Sequence, residues 1–343
     1  MKKIIVAPLN WGLGHAARCV PMIHFLLENN FTPILASDGK ALEFLQKEFP
    51  NLERLELPSY NISYAKNLKT GLFFQIPKIA KAIQLEKKVI ADFVQNNKNV
   101  VGIISDNRFG VRNAKIPSVY LTHQITVLSG MLTWLTSKIH QRIIQKFDAC
   151  WIPDSKENTL SGKLSQTKNK QLNLKYIGVL SRFVKEDVSI KNDILIVLSG
   201  IESQRKKLEE KLLSVFKNHP KKVVLIQGKI EENQTQKTIG NITVYNYLLS
   251  KELEREINQS EIVICRSGYS SIMDLATLKK NAFFIPTKNQ TEQEYLANYL
   301  EKMHFAAFSE EKNFSFESLK RVNNYDGLSA KKTTLKKELL RLF

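Results

Sequence analysis

The chain has 343 residues, of which 43% are hydrophobic and 24% are charged, and this composition favours folded domains over a disordered chain. At ~150 residues per domain, the length predicts about two domains. The 51 Lys and Arg residues outnumber the 33 Asp and Glu residues, which gives a formal net charge of +18. That charge makes phosphates, nucleic acid and an anionic membrane surface candidate partners, and it does not choose among them.

The three cysteines, Cys19, Cys150 and Cys265, are odd in number and never form a Cys-x-x-Cys pair. This pattern argues against a disulfide framework and against a zinc knuckle, and it predicts a reducing, cytoplasmic location. The apolar run at residues 4–9 is too short for a secretory signal and predicts a buried strand. No run approaches the ~20 apolar residues that span a bilayer, so any membrane contact is expected to be peripheral.

Short runs rich in β-branched residues alternate with longer helical patterns, which is typical of parallel βαβ units. The runs form two series, so the sequence predicts an α/β chain with two parallel sheets. The first series has predicted strands at residues 4–9, 33–36, 100–105, 118–122 and 149–152. The second has predicted strands at residues 194–198, 222–227, 242–245, 262–265 and 282–285.

A polar, Lys-rich segment at residues 155–191 separates the two series and is predicted to be a linker. We therefore predict a first domain over residues 1–180 and a second over residues 190–326. The tail, residues 327–343, alternates basic residues with leucines. It is predicted to form a basic amphipathic helix that packs back on the first domain.

A glycine-rich loop, Gly12-Leu-Gly14-His15, follows the first strand and precedes a helical pattern. Glycines let the backbone approach a ligand, and a helix start favours an anion, so Gly12 and Gly14 are candidate ligand-binding residues. His15 is a candidate general base, because an imidazole can take a proton near neutral pH. Two alternatives stay open: a structural turn, and the short form of a dinucleotide fingerprint with Asp38 about 20 residues further on.

A second polar loop follows the strand at residues 262–265. Hydroxyl groups, backbone N–H groups and a flexible glycine at a helix start suit a diphosphate. Asp274, one turn further on, can accept hydrogen bonds from ribose hydroxyls. An ordinary serine N-cap with a surface aspartate is the structural alternative. The candidate diphosphate residues are Arg266, Ser267, Gly268, Ser270 and Ser271.

The next strand ends in a third polar loop that contains Gln290, Glu292 and Gln293. Consecutive strand ends of a parallel sheet open on the same crevice, so these side chains are predicted to face the same ligand as Ser270. Amide and carboxylate groups suit sugar hydroxyls. A merely polar helix start is the alternative.

Residues 266–274 and 286–293 together resemble the C-terminal donor signature of the family 28 glycosyltransferases of the GT-B fold. The loop at residues 12–15 is similar to that family's glycine-rich loop ending in His. The resemblance implies two Rossmann-like domains facing across a cleft, with a nucleotide diphosphate sugar on the C-terminal domain and the acceptor on the N-terminal one. It also implies inverting transfer that needs no metal and no cofactor besides the donor substrate.

Carried over by position, the resemblance assigns roles to single residues. Ser267, Gly268, Ser270 and Ser271 would hold the diphosphate, Asp274 the ribose, Gln290 and Gln293 the donor sugar, and His15 would be the base or its orienter. Two departures stand out, because Asp274 replaces the usual Glu and the loop after residue 198 lacks the family's glycine-rich sequence. In that loop Ser199, Gly200 and Arg205 remain able to approach phosphate, and we expect an acceptor other than that of the best-known members.

Asp106 and His123 follow predicted strand ends of the first domain and are candidates to orient His15 or the acceptor, with structural hydrogen bonding as the alternative. No Asp-x-Asp pair suggests a metal site. Basic amphipathic stretches at residues 66–88 and 134–142 suit an anionic membrane surface and a lipid-linked acceptor, unless their apolar stripes face the core.

The leading hypothesis is a cytoplasmic glycosyltransferase that uses a nucleotide diphosphate sugar, with UDP as the expected nucleotide, and a hydroxyl acceptor. A nucleotide-sugar epimerase of the same fold is the nearest alternative. A nucleic-acid-binding protein is the alternative from another class, supported by the net charge but by no recognition motif.

Overall fold

A computed structural model describes residues 1–60, 75–157, 159–330 and 333–343. The chain divides into two compact units. The first contains Met1–Trp11, His15–Leu180 and Thr333–Phe343, and the second contains Gly12–Gly14 and Ser181–Lys332. Each unit is built on a largely parallel sheet flanked by helices, so the predicted α/β class with two Rossmann-like units is confirmed.

Seven parallel strands form the sheet of the first unit among the described residues, in the spatial order β3-β2-β1-β4-β5-β6-β7. Four α-helices accompany them in the same part of the chain. The strands are β1 (Lys3–Pro8), β2 (Thr32–Ser37), β3 (Arg54–Glu56), β4 (Val100–Asp106), β5 (Ser118–Leu121), β6 (Ala149–Ile152) and β7 (Leu174–Tyr176). The helices are α1 (Gly14–Glu28), α2 (Gly39–Glu48), α3 (Ile76–Asn96) and α4 (Thr133–Ile144).

The central strands of this unit are buried along nearly their whole length, because helices cover both faces of the sheet. Continuous burial explains why β1, β2, β4, β5 and β6 read as unbroken apolar runs. The edge strands β3 and β7 are three residues long and partly exposed, and neither was predicted. Their short, polar sequences carry no strand periodicity, and only pairing with a neighbour makes them strands.

The second unit also has seven strands within the described residues, in the order β10-β11-β9-β8-β12-β13-β14, and only the β10–β11 pair is antiparallel. β10 and β14 were not predicted. The strands are β8 (Asn192–Val197), β9 (Val223–Ile226), β10 (Gln236–Ile239), β11 (Ile242–Tyr245), β12 (Ser260–Cys265), β13 (Asn281–Phe284) and β14 (Ala307–Phe308). The helices are α5 (Glu202–Phe216), α6 (Ser250–Asn258), α7 (Tyr269–Leu278) and α8 (Thr291–Lys302).

Both sheets change winding direction at their first strand. In the first unit β1 lies between β2 and β4, and Pro8 pairs with Asp106 where both strands end. In the second unit β8 lies between β9 and β12, and Val197 pairs with Cys265 at the strand ends. Open α/β sheets bind ligands in the crevice at such a switch point. The fold therefore directs attention to the loops that follow β1, β4, β8 and β12.

The predicted linker over residues 155–191 is wrong in extent. Within the described residues, its first part carries a 3-10 helix, Gly162–Ser165, and β7, and it belongs to the first unit. From Ser181 onward the segment is bonded to the second unit, where Val184 N donates to Glu254 Oε2 at 2.7 Å. Phe183 is the one buried apolar side chain of residues 181–191, and a single buried ring gives no periodic pattern from which the packing could be predicted.

The tail also differs from the predicted amphipathic helix. A single 3-10 helix, Lys337–Leu342, is present in its described part, and Leu339 and Leu340 are buried. The Phe343 ring packs 6.1 Å from that of Trp151 on β6. Burial of adjacent leucines and a terminal ring fixes the tail through packing, and so short a segment gains little from helix propagation.

The two predicted basic stretches have different outcomes. Residues 66–74 of the first lie outside the described residues. In the remainder, α3 buries the stripe Ala82, Glu86, Ile90 and Val94 against the core. In α4, by contrast, Trp134 is 71% exposed and Ile139 is 50% exposed. No helix in the described ranges is long and apolar enough to cross a bilayer.

Candidate active site

His15 and Asp106 meet at the switch point of the first sheet. His15 lies in the first turn of α1, and Asp106 is the last residue of β4. The His15 Nδ1 atom lies 2.8 Å from Asp106 Oδ1, and the His15 side chain is 19% exposed whereas that of Asp106 is fully buried. The arrangement joins a buried carboxylate to an imidazole that reaches solvent.

The protonation state of Asp106 determines the tautomer of His15. Burial by itself would raise the pKa of Asp106, but the Arg18 guanidinium and the His15 ring together hold it well below its usual range. An ionised carboxylate only accepts hydrogen bonds, so His15 Nδ1 donates to it, and Arg18 Nη2, which lies 2.9 Å from Nδ1, donates to the same Oδ1 atom and not to the ring. The neutral ring then keeps a lone pair on Nε2, which has no hydrogen-bond partner in the described part of the chain. This is the state that a general base requires.

Arg18 is the residue of this cluster that the sequence reasoning missed. Its Nε atom donates to Asp106 Oδ2 at 2.8 Å and its Nη2 atom to Asp106 Oδ1 at 2.5 Å. Its Nη1 atom lies 2.7 Å from His123 Nδ1, which must accept because a guanidinium has no acceptor. The spacing of three residues between His15 and Arg18 on a predicted helix was the available signal, because it places both side chains on one face.

Three sequence candidates of the first unit are thus brought together. His15, Asp106 and His123 all contact Arg18. His123 is buried, and its contact with Arg18 rather than with His15 suits orientation of the guanidinium. Gly12 lies between β1 and α1 with a φ of +71°, which favours glycine, and Gly14 is the first residue of α1.

Asp38, the acidic residue of the dinucleotide alternative, points into the protein. Its Oδ1 atom accepts from Arg108 Nη1 at 2.6 Å, and its Oδ2 atom accepts from Asn10 Nδ2 at 3.0 Å. Arg108 is itself buried and also donates to Glu86 Oε1 at 2.6 Å. Internal donors thus hold both carboxylate oxygens, and the Asp38 side chain is only 8% exposed, so the structure places Asp38 as a partner of Arg108 and Asn10.

In the second unit, the loops after β8 and β12 lie at the switch point. Ser199 and Gly200 follow β8, and Gly200 has a φ of +94°. Gly268 follows β12 with an ordinary φ of −78°, and a Cβ atom built on it would meet nothing within 4 Å. The fold itself therefore does not require glycine at position 268.

The start of α7 presents backbone donors. The first hydrogen bond of this helix joins Ile272 N to Gly268 O at 3.0 Å, so the N–H groups of the preceding turn have no intrahelical acceptor. Ser270 and Ser271 lie in that turn. Such a turn suits an anion.

Arg266 is placed as a structural brace. Its side chain is 1% exposed. Its Nη1 atom donates to the carbonyl oxygens of Ile285 and Pro286 at 3.0 and 3.2 Å, and its Nη2 atom bonds Gln204 O at 3.2 Å and Glu311 Oε2 at 2.9 Å. All four Nη protons are used, so the guanidinium joins the loops after β12 and β13 to the first turn of α5 and to Glu311, and it has no terminal N–H left for a phosphate.

Gln290 and Gln293 organise the start of α8. Gln290 Oε1 caps the helix by accepting from Gln293 N at 2.6 Å, and Gln293 Oε1 accepts from Thr287 N at 2.8 Å. The Ser267 hydroxyl donates to Gln293 O at 2.7 Å. Since both side-chain oxygens serve the backbone, the two glutamines offer a ligand their amide N–H groups. Glu292 lies half-buried in the first turn of the same helix.

Asp274 and Arg205 have internal partners. Asp274 Oδ1 accepts from the Ser181 hydroxyl at 2.6 Å, and Arg182 Nε lies 3.8 Å from Asp274 Oδ2. Arg205, on α5, donates from Nη1 to Gly228 O at 2.9 Å. Both side chains are therefore held in place before any ligand binds. No group of three or more His, Cys, Asp or Glu residues that could hold a metal occurs in the described ranges.

Comparison with known proteins matches the C-terminal part of the chain to a known domain family. Residues 194–338 match the glycosyltransferase family 28 C-terminal domain. The chain is a glycosyltransferase with a family 28 C-terminal domain. Two relatives are named UDP-N-acetylglucosamine--N-acetylmuramyl-(pentapeptide) pyrophosphoryl-undecaprenol N-acetylglucosamine transferase. That of Sulfurihydrogenibium sp. strain YO3AOP1 is 30% identical over 37% of this chain and 36% of the relative, and that of Actinobacillus pleuropneumoniae serotype 5b is 23% identical over 76% and 72%.

Solved structures support the fold of the glycosyltransferase. The glycosyltransferase SnogD from Streptomyces nogalater aligns with a TM-score of 0.60 at 14% identity, over 94% of this chain and 90% of that one. At this identity the likeness shows the GT-B fold alone. The resemblance seen in the sequence is thereby confirmed at the level of family domain and fold.

Proposed function

We propose that the glycosyltransferase moves a sugar from a UDP-linked donor to an acceptor hydroxyl, with inversion at the sugar carbon and without a metal. The observation that carries the proposal is the His15–Asp106 pair, in which the carboxylate fixes Nδ1–H and leaves Nε2 as the base. The names of the two relatives specify UDP-N-acetylglucosamine, which supports UDP as the nucleotide.

In the proposed step the acceptor oxygen forms a bond to the anomeric carbon while the bond from that carbon to the diphosphate oxygen breaks. The electron pair leaves with UDP, and the acceptor proton moves to His15 Nε2. A single displacement inverts the configuration. Backbone N–H groups at the start of α7 and the amide groups of Gln290 and Gln293 would stabilise the departing diphosphate and orient the sugar.

We infer that the acceptor is a sugar or lipid-linked hydroxyl and that the protein contacts an anionic membrane at its cytoplasmic face. Support comes from α4 and the 3-10 helix before it, Gly130–Leu132, where Met131, Leu132, Trp134, Leu135 and Ile139 are exposed. Lys138 Nζ lies 4.8 Å from the centre of the Trp134 ring. No Asp or Glu occurs between Asp106 and Asp148, so no nearby acidic residue in the sequence opposes an anionic lipid surface.

Calorimetric titration with UDP in the presence of EDTA tests the donor assignment. We expect saturable binding that Asp274→Ala weakens and that Asp193→Ala, at the start of β8, leaves unchanged. NAD and a short DNA duplex are the negative controls. Binding of NAD or DNA without binding of UDP would contradict the proposal.

Turnover tests the role of the base. With UDP-N-acetylglucosamine as the first donor and a panel of hydroxyl acceptors, we expect acceptor-dependent release of UDP. His15→Ala should lower kcat by ~10² or more while the affinity for UDP stays the same. Formation of an epimerised UDP-sugar without any acceptor would instead favour an epimerase.

A further inference from the structure

A line of polar side chains leads from Asp106 into the core of the first unit. Asn107 Nδ2 donates to Asp106 Oδ1 at 3.3 Å. The Tyr120 hydroxyl on β5 lies 3.0 Å from Asn107 Oδ1 and 3.0 Å from His140 Nε2 on α4. Tyr120 is fully buried, and none of the functions assigned above uses Asn107, Tyr120 or His140.

The chemistry of these groups determines which atom donates and which accepts in each of these hydrogen bonds. An amide oxygen only accepts, so the Tyr120 hydroxyl donates to Asn107 Oδ1. The Tyr120 oxygen then accepts from His140, which therefore carries a proton on Nε2. Burial lowers the pKa of His140 to about 4 and raises that of Tyr120 well above its usual value, so both groups stay neutral near pH 7.

We propose that Tyr120, itself held by His140, is a positioning residue. It fixes the orientation of the Asn107 amide and thereby that of the Asp106 carboxylate, to which His15 is hydrogen-bonded. The inference depends on the proposed role of His15 as the base. With its oxygen held by Tyr120, the Asn107 amide can turn only its N–H groups toward Asp106. The Asp106 Oδ1 atom then accepts from His15, Arg18 and Asn107, and these three donors fix the orientation of the carboxylate.

The backbone at Asn107 suits the residue that stands there. Asn107 has a φ of +59°, in the left-handed region that asparagine adopts more readily than most other non-glycine residues, and it stands directly after β4. Around it, the ring of Tyr120 packs 4.9 Å from that of Phe147, so a phenylalanine at position 120 would keep the packing and lose only the hydroxyl.

A double-mutant cycle on UDP-sugar turnover tests the inference. We expect Tyr120→Phe to lower kcat ~10-fold or more with little change in the donor KM, because a displaced base slows the chemical step. In an Asn107→Gly background, which preserves the left-handed backbone, the same Tyr120→Phe change should have almost no further effect. Tyr176→Phe, which deletes a hydroxyl bonded to Ser165 O at 2.7 Å in the same unit, is the matched control and should leave kcat unchanged.

Nitrogen NMR of the histidine rings tests the same line without turnover. We expect His140 as the Nε2–H tautomer and His15 as the Nδ1–H tautomer in the free protein, and a loss of the single His15 tautomer in Tyr120→Phe. Equal losses of kcat from Tyr120→Phe in the wild-type and Asn107→Gly backgrounds, or an unchanged His15 tautomer, would overturn the positioning role of Tyr120. Either result would leave the assignment of His15 as the base intact. A wild-type protein without UDP binding or turnover would overturn the proposed function, and the positioning role of Tyr120 in catalysis with it.

Discussion

Arg18 and Asp106 form a bidentate ion pair inside the first unit. Arg18 Nε donates to Asp106 Oδ2 at 2.8 Å, and Arg18 Nη2 donates to Asp106 Oδ1 at 2.5 Å. The side chains are 2% and 0% exposed. A guanidinium does not lose its proton in a protein, so Asp106 always faces a cation. Asp106 therefore acts on His15 mainly by fixing the ring, because Arg18 already compensates its charge.

Removing the Arg18 guanidinium should lower the stability of the protein strongly. Arg18→Met leaves a buried carboxylate without its charged partner, and we expect the free energy of unfolding to fall by ~3–5 kcal/mol. Arg18→Lys should fall between this variant and the wild type, because an ammonium group restores the charge but not the fork. Urea denaturation measures both. The control is Lys40→Met, which removes an exposed partner of Glu43 and should cost at most ~1 kcal/mol; equal costs at the two positions would refute the argument.

We expect Gly268 to be required for binding of the donor substrate and not for the stability of the fold. A methyl group at this position meets nothing within 4 Å, so Gly268→Ala should change the unfolding free energy by less than ~1 kcal/mol. We expect its affinity for UDP to fall at least ~10-fold, because the methyl group stands where a diphosphate would approach the start of α7. Calorimetry and thermal denaturation test the two halves. Gly200→Ala provides the contrast, since a φ of +94° should make that variant lose stability as well.

His140 should make the protein sensitive to acid. Burial lowers its folded-state pKa to about 4 from a usual value near 6.5, so the unfolded chain binds the proton more tightly. The contribution to stability is present above pH ~6.5 and is lost as the pH falls toward 4, to an upper limit of ~3 kcal/mol. His140→Gln, whose amide can still donate to Tyr120, should flatten the pH dependence of the unfolding free energy in this range. His24→Gln, at an exposed ring, is the control, and an unchanged slope in His140→Gln would contradict the assignment.

The exposed face of α4 should bind anionic vesicles. Trp134→Ser combined with Ile139→Ser should lower the fraction that sediments with phosphatidylglycerol vesicles at least ~10-fold while leaving binding to UDP unchanged. Phosphatidylcholine vesicles should bind weakly, since the lysine and arginine of this helix contribute ~1 kcal/mol each only at a negative surface. Equal sedimentation of variant and wild type would locate membrane contact elsewhere or exclude it.

Arg266 should matter for stability more than for phosphate binding. Arg266→Lys loses most of the bonds to the carbonyl oxygens of Ile285, Pro286 and Gln204, and we expect it to lower the unfolding free energy by ~2–4 kcal/mol. The affinity of the folded variant for UDP should change less than that of Gly268→Ala. A large loss of UDP affinity without a loss of stability would instead return Arg266 to the diphosphate.

Much of the architecture was readable from the sequence because its signals are local. Buried central strands require continuous apolar runs, and β6 and β11 were predicted with the bounds that the structure has. The turn residues after β1 and β12 likewise marked the loops at both switch points. Edge strands such as β3 and β10 escaped prediction, since exposed strands owe their conformation to a neighbour and not to their own pattern.

The partners of the polar side chains were decided by the tertiary structure. Arg18 reaches Asp106 across 88 residues of sequence, and Arg108 reaches Asp38 across 70. A local motif could propose Asp38 for a ribose and Arg266 for a phosphate, but a buried charge requires an internal partner, and that partner is distant in the sequence: Arg108 for Asp38 and Glu311 for Arg266. The sequence thus determined where the candidate site lies and which chemical groups are near it. Long-range packing alone decided which of those groups face a ligand and which hold the fold together.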